Sequence, residues 1–147
     1  MKQQIVTKAV LWDGEQATEY DMPQEDKEKM PEKYGAVSLD DFVEYSKSMF
    51  EYWTEDDFAS SFRKMLTIEQ FRSEEMQKLY QQYLVAGPAS YVKALFESIG
   101  IVNAKDKAAR FYAVMHFYYS LYDGAADKEK VKVEFVSAIK SLVQDFA

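Results

Sequence analysis

Residues 111–122 read FYAVMHFYYSLY, the densest part of the run AARFYAVMHFYYSLYDG from Ala108 to Gly124. Asn103-Ala-Lys-Asp106 caps this segment as a helix that runs to about Asp123. Apolar or aromatic side chains occur nearly all the way round it, and a helix without a polar face is buried on every side. In a single chain of 147 residues, one face is expected to meet the chain's own core and the other a second subunit.

The segments on either side read as helices too. After Gly124, Asp127 caps a last helix whose stripe is Val131, Phe135, Val136, Ile139, Leu142, Val143 and Phe146. Lys128, Lys130, Lys132, Glu134, Lys140 and Gln144 are expected outside that stripe. Towards the N-terminus, Ser38-Leu-Asp-Asp41 has the form of a capping box and opens a helix with Leu39, Phe42, Val43, Ser46, Met49, Phe50 and Trp53 on one face. Thr54-Glu-Asp-Asp57 repeats the start signal before a stripe of Phe58, Phe62, Met65, Leu66 and Glu69. Ser73-Glu-Glu starts a third helix, with Met76, Leu79, Tyr80, Tyr83 and Leu84 inward. Gly87-Pro88 interrupts it while the stripe keeps its phase through Tyr91, Leu95 and Ile99. A kinked helix and two nearly coaxial helices fit this equally.

Residues 1–37 are read differently. Ile5, Val6, Ala9 and Val10 have helical spacing, with a hairpin turning at Asp13-Gly14 as the competing reading. From Asp13 to Lys33 there are eight acids, three bases and two prolines, the pattern of a solvated acidic loop. The expected architecture is all-α: one domain over residues 1–147, a bundle of about five to seven helices. It divides into a short helix and acidic loop (1–37), a middle group of helices (38–100) and a closing pair (103–147).

Composition narrows the function. The chain has no Cys, which removes disulfides, Cys-ligated zinc and a thiol nucleophile. Its single His removes multi-His metal sites within one chain. The net charge of −7 argues against nucleic-acid binding over the whole chain. The aromatic content of 16% argues against disorder. No leader-like start and no long apolar run occurs, so a cytoplasmic protein without a membrane span is expected.

Catalytic motifs are missing: there is no Gly-rich phosphate loop, no HExxH, no GxSxG and no ExxH pair around His116. The carboxylate pairs Asp40-Asp41, Asp56-Asp57 and Glu74-Glu75 each sit in a first helical turn, where they complement the helix dipole. No enzyme, cofactor or metal is therefore expected. His116 reads either as a core histidine with one satisfied hydrogen bond or as a polar contact in a ligand cavity. The tyrosines Tyr80, Tyr83, Tyr91, Tyr112, Tyr118, Tyr119 and Tyr122 fit either a core or a ring-lined cavity with polar tips. Arg63 reads as a surface residue or as an inward cation for an anionic ligand.

Two stretches carry a family resemblance. FRKMLTIEQFRSEEMQKLYQQYL, from Phe62 to Leu84, looks like the start of the C-terminal domain of TetR-family transcriptional regulators. AARFYAVMHFYYSLYDG with the final amphipathic helix resembles that family's closing helices. The match covers roughly Ser38 to Ala147. It implies a homodimeric ligand-binding and dimerisation domain whose last two helices pair with the partner's in a four-helix bundle. By position it places Phe111, Met115, Tyr118, Tyr122, Phe135, Ile139, Leu142 and Phe146 at the dimer interface. It likewise places Phe62, Arg63, Met65, Leu66, Tyr83, Tyr112 and His116 around a small, largely apolar or aromatic effector. The family's basic helix-turn-helix domain has no counterpart in residues 1–37, so no DNA binding by this chain alone is expected. Two rival readings are a stand-alone helical interaction module and a small helical-bundle enzyme using His116.

Overall fold

The structure, a computed structural model, describes residues 38–146. The expected helix or hairpin around Ile5–Val10 and the acidic loop lie outside the described residues. Within them the chain is an all-α bundle of six helices. They are α1 (Leu39–Glu55), α2 (Asp57–Glu69), α3 (Glu74–Leu84), α4 (Ala86–Ser98), α5 (Ala104–Gly124) and α6 (Lys128–Gln144).

Local chemistry sets most of the boundaries. Ser38 and Asp41 form the reciprocal capping box: Asp41 N–H donates to Ser38 Oγ at 3.1 Å, and Ser38 N–H to Asp41 Oδ2 at 3.2 Å. Ser73 caps α3 and Asp127 caps α6 by accepting from Met76 and Lys130 backbone N–H groups. The start of α2 differs from expectation. Its cap is Asp56, which accepts from Ala59 N–H at 2.8 Å. Thr54 stays in α1, buried, with its hydroxyl donating to the Phe50 carbonyl. Asn103 stands at the expected cap of α5 in the left-handed region, φ 56°. Its side chain makes no capping bond there, because capping requires an extended backbone.

The chain here forms two helices rather than one kinked helix, and the break falls at Val85, ahead of Gly87-Pro88. Pro88 lies in the first turn of α4, where a missing N–H is tolerated. Gly87 is required by a close approach: a Cβ there would collide with the Gln82 carbonyl oxygen.

Two ring clusters on α1, α4, α5 and α6 and the turn after α6 make up much of the core. Phe50 stacks on Phe135 at 4.1 Å between centroids and meets Tyr119 and Tyr122 at 5.6 and 5.7 Å. A second cluster joins Phe42 to Phe96 and Phe111 at 5.0 and 4.9 Å, with Phe146 against Phe96. The helix α5 packs on α1, α4 and α6. Its buried stripe is Ala104, Ala108, Phe111, Met115, Tyr119 and Tyr122, all separated by steps of three or four residues.

Burial on α5 is thus one-sided. Phe117 and Leu121 are 59% and 40% exposed. Two further positions depart from the sequence reading. Phe58, expected inward, is exposed and stacks on Phe62. Lys132, expected outside, has a side chain only 16% exposed and bonds Glu55 and Glu51 of α1 at 2.7 and 3.1 Å.

Candidate functional site

A cleft of about 450 Å³ opens between α2, α3 and α5. Arg63, Lys64, Thr67 and Ile68 supply the α2 wall, and Tyr80 and Leu84 the α3 wall. His116, Tyr119, Ser120 and Asp123 supply the α5 wall. Steps of three and four residues put these α5 side chains on one helix face.

Arg63 anchors the floor. It is 5% exposed, so its charge needs partners. Its Nε donates to the Trp53 carbonyl at 2.9 Å and its Nη2 to Asp123 Oδ1 at 2.8 Å. The guanidinium carbon lies 4.9 Å from the Tyr119 ring centroid, within reach of a cation–π attraction. Lys64, half-exposed at the mouth, reaches Asp123 only at 4.0 Å. One carboxylate therefore serves two cations, closely for one and loosely for the other.

His116 Nε2 lies 2.7 Å from the Leu84 carbonyl oxygen. A carbonyl only accepts, so Nε2 carries the proton. Burial pushes the imidazole below its usual pKa, and the Arg63 charge adds to this; the bond to Leu84 works in the opposite direction. The net result favours neutral imidazole. The ring also meets Tyr119 edge-on at 5.4 Å.

Of the residues expected around a ligand, Arg63 and His116 line this cleft. Phe62, Leu66 and Tyr83 are buried in the core instead, with Phe62 and Tyr83 in edge contact at 5.8 Å. Met65 and Tyr112 pack partly buried against the core and are not part of the cleft wall. Burial pushes the Tyr112 hydroxyl well above its ordinary range, and Tyr119 and Tyr91 add to the rise. The expected interface residues Phe111, Met115, Tyr122, Phe135, Ile139 and Phe146 are buried in the chain's own core. Tyr118 and Leu142 are partly buried against it. The apolar side chains left outward on the closing helices are Phe117, Leu121 and Val133.

No family model, curated protein or solved structure matches this chain. The site is therefore read from its own chemistry.

The cleft residues absent from the sequence-based ligand set are Lys64, Thr67, Ile68, Tyr80, Tyr119, Ser120 and Asp123. Helical spacing alone would have recovered Tyr119, Ser120 and Asp123 once His116 was chosen. Nothing in the sequence pairs Arg63 with Asp123 across 60 positions.

A second groove, about 600 Å³, lies between α1 and α6. Leu39, Val43, Val136 and Val143 line it, and Asp40, Glu44, Lys47 and Lys140 edge it. It holds no ring and no buried charge. Among the described residues no cluster of three or more His, Asp or Glu is placed to hold a metal ion. Nor is any described helix long and apolar enough to cross a membrane.

Proposed function

We propose that this chain is the ligand-binding and dimerisation domain of a TetR-like transcriptional regulator. It would sense a small, largely apolar or aromatic molecule and pass the signal to a DNA-reading domain. The observation that supports this best is that α5 presents two different faces. One face supplies His116, Tyr119, Ser120 and Asp123 to the cleft. Another presents Phe117 and Leu121 to solvent, spaced four residues apart as a contact stripe requires.

A molecule seated in the cleft therefore touches the same rigid helix that would meet a second copy. If its affinity differs between two arrangements of the dimer, it shifts their populations, and the attached heads move with them. Val133 of α6 is a further exposed apolar side chain on the closing helices. Sizing by light scattering tests the reading. The wild-type chain is expected to run as a dimer and Phe117→Glu with Leu121→Glu as a folded monomer. A wild-type monomer at all concentrations overturns it.

A stand-alone interaction module is the second reading. It is favoured by Phe71 in the α2–α3 turn, which is 83% exposed and apolar at a place where polar residues are usual. Under it the purified chain remains monomeric until a partner protein is added.

A further inference from the structure

We propose that the α2–α3–α5 cleft is selective for small aromatic monocarboxylates, with the ring against Ile68 and Tyr80 and the carboxylate at Lys64. This deepens the ligand-binding reading above and rests on it.

The charge arrangement carries the argument. Within the cleft stand two cations, Arg63 and Lys64, and one carboxylate, Asp123. Asp123 is committed to Arg63 at 2.8 Å, while Lys64 lies at 4.0 Å, the outer limit of an ion pair. Arg63 also has its Nε held by the Trp53 carbonyl. It is a fixed positive charge beneath the site rather than a free hand. One unit of positive charge is left without a close partner, and it belongs to the Lys64 ammonium at the mouth. An anion carrying one charge completes the set. A dianion would add a repulsion against Asp123, and a cation would meet two like charges.

The apolar part follows from the walls. Ile68 and the half-buried ring of Tyr80 supply the accessible apolar surface in a cleft of about 450 Å³, room for a one- or two-ring molecule. Tyr119, only 4% exposed, has Phe50 stacked on its ring and the Arg63 guanidinium 4.9 Å from its centroid, so it lies beneath the cleft floor. With its Nε2 proton committed to Leu84, neutral His116 adds no third positive charge.

The test uses 1-naphthoate and its neutral isostere 1-naphthamide, with calorimetry on the full chain and NMR of the His116 and Tyr119 resonances. Naphthoate is expected to bind at least about tenfold more tightly than the amide, the gain typical of one charge-assisted contact. Its Kd should rise with added salt. Lys64→Gln, at an exposed position, should bring the acid-to-amide ratio close to one. Equal affinities for acid and amide, with both perturbing His116 and Tyr119, would overturn the carboxylate selectivity while leaving the cleft as a ligand site. Failure of both to perturb those resonances would overturn the ligand site itself. Ser120→Trp, which fills the cleft from its rim, should abolish binding of both probes; binding that survives it lies elsewhere and also overturns the proposal.

Discussion

Pro88 withholds the amide hydrogen that the Leu84 carbonyl would take in a continuous helix, and His116 supplies one in its place at 2.7 Å. The histidine is thus a cap for the end of α3. Its position in the cleft wall and its role at the helix junction come from the same hydrogen bond.

That pairing predicts a coupling. Replacing His116 with Phe leaves the Leu84 oxygen without its donor and should cost about 1 to 3 kcal/mol in chemical denaturation. His116→Gln keeps an amide N–H near the Nε2 position and should cost less. With Pro88→Ala the backbone regains an N–H four residues after Leu84. The penalty of His116→Phe should then shrink in that background. Strict additivity in this cycle would refute the shared role.

The pH dependence has a defined sign. The folded pKa of His116 is lowered, whereas the unfolded chain titrates near about 6.5. As pH falls below that value, the unfolded state takes up the proton first, so stability declines. The decline from this group ends once the folded imidazole is protonated too. Comparing the unfolding free energy at pH 7.5 and 5.5 should give a smaller difference in His116→Gln than in wild type.

Gly87→Ala should run against helix propensity. In an ordinary helical position the change stabilises by about 1 kcal/mol. Here the added methyl collides with the Gln82 carbonyl, so α3 and α4 must separate locally. A loss of about 1 to 3 kcal/mol is expected, as for overpacked cores. A raised Tm in differential scanning calorimetry would contradict the close approach.

Lys132 joins α6 to α1 through Glu55 and Glu51. Chiefly through its bond to Glu55, and then through Glu51, its pKa is raised despite an opposing contribution from burial. Its stabilising contribution is complete below about pH 10.4, the unfolded value, and is lost as pH rises through the higher folded value. Lys132→Met should cost about 1 kcal/mol at neutral pH. It should also make stability less sensitive to salt than in wild type.

The helices were legible where a boundary depends on one local bond. Ser38, Ser73 and Asp127 each cap the helix that follows. The start of α2 was less so, because Thr54 and Asp56 can both accept a capping bond. The choice falls to Asp56 because Thr54 is drawn into the core as part of α1. The apolar character of α5 was plain, but its distribution was not. Aromatic side chains cover a helix on the outside as readily as on the inside. Only packing against α1, α4 and α6 separates Tyr119 from Phe117. For the cleft, the sequence offered Arg63 and His116 as candidates. The pairings themselves, Arg63 with Asp123 and His116 with Leu84, join different helices and carry no local signal.

The groove between α1 and α6 has a topological consequence. Leu39, at the start of the first described helix, and Gln144, at the end of the last, border the same groove. The order of helices along the chain therefore closes into a ring, with Lys132 as a clasp across the seam. The first turn of α1 thus lies beside the last turn of α6, and the two ends of the described chain share one side of the bundle.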